Sequence, residues 1–435
     1  MIFRKLLFKF LDAIPALRYF LLQVGWKNSL LKKSKYFCMA PFIQLHAQTN
    51  GNVAPCCMAD SWDGRETGNL NEDANLLSQW NSPKMRQLRR NMLAGKSSPI
   101  CGNCYKYENI GKVSERMNYN RDYAKIAHRI LLTDASGYLH TPDILLLDLR
   151  FSNKCNYKCR ICNSDYSSLW YEEEIVAGHP YGNTPVKEKK ITGREDEMWE
   201  SLRNLLPRVE RIHFAGGEPL FMDEHYRILD LLLEVGHTEV TLSYNTNFST
   251  LRYKNYNLTE MWKHFKCVDV WASLDGMGAK GDYQRKGQRW NKIEENIREI
   301  QRECPNILFG VNVTVSVFNI MDITDFYQYM IHNRFVQPER MNLYLLFGPE
   351  CFSITQLPKH LKDHAAGKIQ TFIQSTLPTI PLSEHFRNHL ESVVKYMYSA
   401  EPDRQTELRT RIKSIDALRN ENFANIYPEL AELVI

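Results

Sequence analysis

The stretch ILLLDLRFSNKCNYKCRICN, residues 144–163, decides how this chain is read. An apolar run of strand length passes into a polar loop that carries Cys155, Cys159 and Cys162 at C-x3-C-x2-C spacing. In parallel β/α folds the chemistry sits on loops at the C-terminal ends of strands, and these thiols lie on such a loop. A [4Fe–4S] cube used only for electron transfer takes four protein ligands. Three thiolates leave one iron open to a small molecule. Structural zinc also asks for four ligands, and no fourth Cys or His lies beside this loop.

Downstream, short apolar strands alternate with helical text. The strands are expected at 144–151, 209–216, 239–246, 267–274, 308–318 and 341–347, and the helices at 195–206, 223–235, 258–265, 290–303 and 322–334. Six βα units imply an α/β fold with a parallel sheet. Several strands alternate instead of running continuously apolar. Val311, Val313, Val315 and Val317 interleave with Asn312, Thr314 and Ser316, and strands 239–246 and 267–274 do the same. Successive side chains point to opposite faces. One face therefore packs under helices, and the other is polar and lines a wet cavity. That suits a partial (β/α)6 TIM-like barrel; a doubly wound sheet with polar edge strands is the alternative.

Composition sets the frame. The chain has 435 residues and a formal net charge of +5, small for its length, with no concentrated basic face to indicate nucleic acid. Eight of its eleven cysteines fall in tight groups. The N-terminal 26 residues carry charges at Arg4, Lys5, Lys9, Asp12 and Arg18, so they lack the apolar core of a signal peptide. Clustered thiols in a reducing, cytoplasmic setting read as metal ligands. Residues 1–35 read as a basic amphipathic helix, docked on the protein's own core or touching a membrane surface through residues 1–25. Residues 36–118 form a small cysteine-bearing module, 140–350 the barrel, and 351–435 a helical extension broken near Pro358, Pro378, Pro381 and Pro402. Residues 178–194 read as an inserted loop. Cys267, Cys304 and Cys351 are isolated, and core packing is their default.

C-x3-C-x2-C after the first strand of a β/α domain resembles the radical S-adenosylmethionine (radical SAM) superfamily. Further positions match in order. The second strand ends in Gly216, Gly217, Glu218 and Pro219, similar to the family's loop for the SAM amino group. The glycines let backbone approach a ligand, and a carboxylate complements an ammonium. Asn247, Ser273, Asp275 and Arg285 resemble the family's contacts to the SAM sugar and carboxylate. One position departs: the residue before the third cysteine is often aromatic in the family and is Ile161 here, with Tyr157 as a candidate replacement. The resemblance implies a [4Fe–4S] cluster on Cys155, Cys159 and Cys162, SAM as cofactor, and an oxidoreductase that generates a 5′-deoxyadenosyl radical. It also implies a small electron donor of the flavodoxin or ferredoxin type.

The module at 36–118 places Cys38, Cys56, Cys101 and Cys104 in a pattern similar to the first half of the SPASM motif, or its shorter twitch version, set before the barrel. The resemblance implies an auxiliary [4Fe–4S] cluster on these four. Two cysteine pairs also suit zinc, and Cys57 could stand in for Cys56. The substrate is expected to be a peptide, protein or carbohydrate, with nucleic acid disfavoured. The alternative is a non-catalytic protein that binds metal (zinc or iron–sulfur) and SAM.

Overall fold

The computed structural model describes residues 31, 34–60, 64–109, 113–140, 144–191, 195–346 and 348–435. The N-terminal amphipathic helix and its membrane contact lie outside these residues. Among the described residues no helix is long and apolar enough to cross a membrane. The chain falls into two compact units, Met1–Leu149 with Ile191–Ile212, and Arg150–Lys190 with His213–Ile435.

In the first unit, strand β1 (Gln44–Ala47) pairs antiparallel with β2 (Asn52–Ala54), which pairs with β3 (Gly68–Asn69). On its other side β1 runs parallel to β4 (Leu146–Leu149). Within residues 74–95 lie two helices, α1 (Leu76–Trp80) and α2 (Pro83–Leu93). The break is local chemistry. Asn75 caps α1 through its side chain, and Ser82 caps α2 with Pro83 in the first turn, where a missing N–H costs nothing. The buried Arg89 on α2 donates to the carbonyls of Pro41 (2.7 Å) and Trp80 (2.7 Å) and fastens these turns. Helices α3 (Gly102–Asn109) and α4 (Glu115–Asp122) follow.

Strand β5 (Arg211–Phe214) contains the division between the units. In the second unit β6 (Thr241–Thr246), β7 (Cys267–Ser273), β8 (Ile307–Val315) and β9 (Met341–Leu345) lie side by side, all parallel, with β9 at the edge. Every expected strand is present, and so is the alternation. Leu242, Tyr244, Val268, Val270, Ala272, Val311 and Val313 are fully buried. Their neighbours Asn245, Trp271, Ser273, Asn312 and Thr314 are half-buried or exposed on the opposite face. Helices between the strands supply the apolar cover, among them α6 (Asp223–Glu234), α7 (Trp290–Glu303) and α8 (Ile323–His332); α5 (Tyr171–Ala177) precedes them after the cysteine loop.

The expected helix at 258–265 stops at Trp262, because His264 and Phe265 bond back to Met261 and Trp262 in tighter turns. Beyond residue 351 the chain is helical as expected, with α9 (Glu384–Met397) and α10 (Gln405–Arg419) as its longest later helices.

Candidate functional site

The cysteine loop, the Gly-Gly-Glu turn and the ends of β6 and β7 meet at one cavity of about 330 Å³. Cys155, Cys159 and Cys162 line it together with Gly216, Gly217, Glu218, Asn247, Ser273 and Arg285. Residues 123 positions apart in sequence are thus gathered by the fold: the Arg160 guanidinium bonds the Tyr283 carbonyl, and the Arg160 N–H meets that of Gln284 at 2.8 Å. Pro219 and Asp275 do not line the cavity. Pro219 opens the short turn Pro219–Phe221, and Asp275 lies buried beneath the wall.

Gly217 has no room for a side chain. A Cβ there would stand 2.1 Å from the Lys154 carbonyl oxygen, and the Gly217 N–H already donates to Ser152 at 3.0 Å. Gly216 has φ +123, a region open to glycine. The turn is therefore pressed against the cysteine loop.

Glu218 is fully buried. Its Oε1 accepts from Thr246 Oγ1 (2.6 Å) and the Leu220 N–H (3.0 Å), and its Oε2 from the Asn247 N–H (2.6 Å). A carboxylate has about four acceptor positions, so three donors leave one for an ammonium. Burial pushes its pKa up to about 7, against these bonds and the Arg285 charge, which pull it down.

Arg285 is also buried. Burial lowers its pKa, but Asp275 and Cys159 outweigh that and hold it above its ordinary value. Its Nε lies 2.8 Å from Asp275 Oδ2, and its Nη1 reaches Cys159 Sγ at 3.7 Å. Asp275 Oδ1 accepts the Thr314 N–H at 2.8 Å. The acid thus positions Arg285, and Arg285 faces the thiol.

All three thiols are held protonated in the bare protein. Burial raises each, taking Cys162 to about 12; Cys159 and Glu218 raise Cys155 further, while Arg285 partly offsets the rise at Cys159. Three thiolates crowded on one cavity need cations to ionise, and that donor set fits an iron–sulfur cube with an open corner. Among the described residues no three His, Cys, Asp or Glu side chains are grouped to hold a metal ion; a cube takes its thiolates on separate irons. Ile161 lines the cavity, and so do two aromatic side chains, the buried Tyr157 and the more exposed Tyr166.

The cysteine loop is clamped from the far end of the chain. Arg160, with no exposed surface, donates to Asp416 (2.6 Å) and Glu421 (2.5 Å), and its guanidinium lies 3.6 Å from the Tyr283 ring centroid. Asp416 also accepts from Tyr283 Oη (2.7 Å) and the Phe423 N–H (2.7 Å). Arg419 on α10 pairs with Glu173 on α5 at 2.8 Å. The inserted loop is stitched here too: Lys189 and Asn153 exchange backbone and side-chain bonds at 2.9 Å, and the Val186 N–H donates to Ser164. Sequence reasoning missed these partners and Thr246.

In the first unit, Cys38, Cys56, Cys101 and Cys104 line one small cavity with Arg116 and Tyr119. Cys57 is exposed and does not line it. Burial raises all four thiols, taking Cys101 to about 12. Helix α4 braces the Cys38 turn. Arg116 donates to the Phe37 carbonyl (2.8 Å) and to Glu108 (2.6 Å), and Asn120 accepts the Met39 N–H (3.0 Å). Four converging thiols fit a fully ligated cluster.

Residues 38–105 match the family model of the SPASM iron–sulfur cluster-binding domain. The chain is 31% identical over 193 residues to the radical SAM cyclopropyl synthase TigE of Paramaledivibacter caminithermalis, covering 42% of this chain and 39% of that one. It is 25% identical over 183 residues to the 7,8-dihydro-6-hydroxymethylpterin dimethyltransferase of Methanocaldococcus jannaschii, covering 40% and 32%. The matches thus span two fifths or less of the length of these relatives. Among solved structures, anSMEcpe with bound AdoMet and the Cp18Cys peptide is similar at 16% identity and a TM-score of 0.38, covering 54% of this chain and 61% of that one. SuiB of Streptococcus suis bound to precursor peptide SuiA is similar at 14% identity and a TM-score of 0.33, covering 91% and 75%. The family match and the sequence relatives bear out the expected class: a radical SAM protein with a SPASM-type domain, with [4Fe–4S] clusters and S-adenosylmethionine as cofactors.

Proposed function

We propose that the chain is a radical SAM enzyme that oxidises or otherwise modifies a peptide, protein or carbohydrate. The reading is carried by the convergence of Cys155, Cys159 and Cys162 with Glu218 and Arg285 on one cavity. On this reading the three thiolates would hold a [4Fe–4S] cluster. When bound and reduced, the cluster supplies the electron that splits SAM into methionine and a 5′-deoxyadenosyl radical.

The protein's own work is to bind and orient. Glu218 offers its remaining acceptor position to the SAM ammonium. Arg285, fixed by Asp275, offers its guanidinium to the SAM carboxylate. Ser273 and Asn247, on the same wall, face the sugar, and Ile161 with Tyr157 and Tyr166 gives the adenine apolar surface. Cys38, Cys56, Cys101 and Cys104 would hold an auxiliary cluster suited to accepting an electron, and a small flavodoxin- or ferredoxin-type protein would serve as electron donor to the enzyme.

The test is direct. Anaerobically reconstituted protein given dithionite and SAM is expected to release 5′-deoxyadenosine, and the Cys159→Ala variant none. Wild-type protein loaded with iron and sulfide that leaves SAM intact overturns the reading.

A further inference from the structure

The polar face of the second unit's sheet carries a row of side chains that the cofactor contacts do not use. His213 on β5, Asn245 on β6, Asn312 on β8, Asn342 on β9 and His385 on α9 are joined end to end. Asn245 Nδ2 lies 3.4 Å from His213 Nε2, and Asn312 Nδ2 donates to Asn245 Oδ1 at 3.2 Å. Asn342 Nδ2 donates to Asn312 Oδ1 at 3.1 Å, and His385 Nε2 lies 2.9 Å from Asn342 Oδ1. A carboxamide has two N–H donors and an oxygen with two lone pairs. Each asparagine of the row therefore keeps one donor and one acceptor for another molecule. The row starts at the cofactor cavity, because Asn245 also lines its wall.

Trp271 lies beside the row, in register with Asn245 and on the same face. Its indole lies across Gly310, where a Cβ would stand 2.7 Å from the ring. The Arg340 guanidinium stacks 4.4 Å from the indole, and its charge is matched by Asp269 at 2.6 Å. The indole is thus set as a fixed platform next to neutral amides.

We infer that this face binds a sugar ring of the substrate, with the ring's apolar side on Trp271 and its hydroxyls on the asparagine row. The inference rests on the proposed function and narrows its substrate class. Bonds of 3.1–3.2 Å hold the carboxamides of the row in fixed orientation, so each presents its remaining N–H and lone pair together, a pair that suits hydroxyls. A hydroxyl both donates and accepts. A charged ligand would meet amides that cannot neutralise it.

Saturation-transfer NMR on the full chain, without reductant, tests this with the methyl glycosides of glucose, galactose, mannose and N-acetylglucosamine, beside a neutral Ser/Gly/Asn decapeptide. Transfer to glycoside ring protons is expected. It should weaken about tenfold in Asn342→Ala and in Trp271→Ala, as loss of one or two hydrogen bonds or a ring contact would give, and persist in Trp271→Phe. Absence of transfer to every glycoside, transfer unchanged in both alanine variants, or Asn342-dependent transfer to the decapeptide instead overturns the inference. Release of 5′-deoxyadenosine by the wild type is measured separately. Cleavage without glycoside binding removes the sugar site alone, and glycoside binding without cleavage removes the enzyme reading.

Discussion

The Glu218 carboxylate accepts the Asn247 backbone N–H at 2.6 Å, and through that bond the end of β5 is joined to the end of β6. The acid is therefore part of the wall before any ligand arrives. Its raised pKa follows from burial, and the sign of its pH dependence follows from the pKa.

Below about pH 7 Glu218 is protonated and cannot pair with an ammonium. Affinity for SAM is expected to climb between pH 5.5 and 7.5 in equilibrium binding on cluster-loaded protein, and to lose that slope in Glu218→Gln. One charge-assisted bond is worth about 1.5–3 kcal/mol, so the variant should bind roughly ten- to a hundredfold more weakly at pH 7.5. Because the unfolded acid ionises near 4.5, the bare protein should also lose stability as pH rises from there through about 7. A flat affinity profile in the wild type would contradict this.

Gly217→Ala is expected to prevent cluster assembly. Its Cβ would stand 2.1 Å from Lys154 O and 2.7 Å from the Asn153 carbonyl carbon, both backbone, so the cysteine loop would have to move. Iron content after anaerobic reconstitution checks it: about four irons should be lost, the complement of one cube.

Cys56 and Cys57 should separate cleanly. Cys56 lines the auxiliary cavity and Cys57 does not. With two cubes, the wild type should carry about eight irons per chain; Cys56→Ala should fall to about four, and Cys57→Ala should stay near eight. Equal loss in both would mean that the thiols exchange.

Asp416→Ala removes a partner of the buried Arg160 and leaves Tyr283 Oη and the Phe423 N–H without theirs. Arg160 keeps Glu421, so its charge stays paired and the cost is that of lost hydrogen bonds to a charged acceptor, about 1.5–3 kcal/mol. Urea unfolding should show a loss of that order, with poorer iron loading because Arg160 sits between two cluster cysteines. A loss under about 1 kcal/mol, the surface-pair value, would refute the clamp.

Much of this was legible in the chain text. The valines of 311–317 alternate with polar residues, and that period alone assigns β8 its two faces. The three-cysteine loop and Gly216-Gly217-Glu218 announced themselves because both lie at strand ends. Long-range pairing was not legible. Arg160 meets Asp416 across 256 positions, and nothing local marks either residue. The contacts of Asp275 to Arg285 and the Thr314 N–H were not legible either, since a carboxylate at a strand end can serve the neighbouring strand as readily as a ligand. The exposure of Cys57 followed from the turn at 55–58, which spacing does not specify.

Open sheets lack the mutual bracing that a closed ring of strands gives its mouth. Here two acids act as staples along that mouth, Glu218 between the first pair of loops and Asp275 between the next. Replacing either by its amide would weaken a staple between neighbouring loops, so the mouth would hold its shape less firmly.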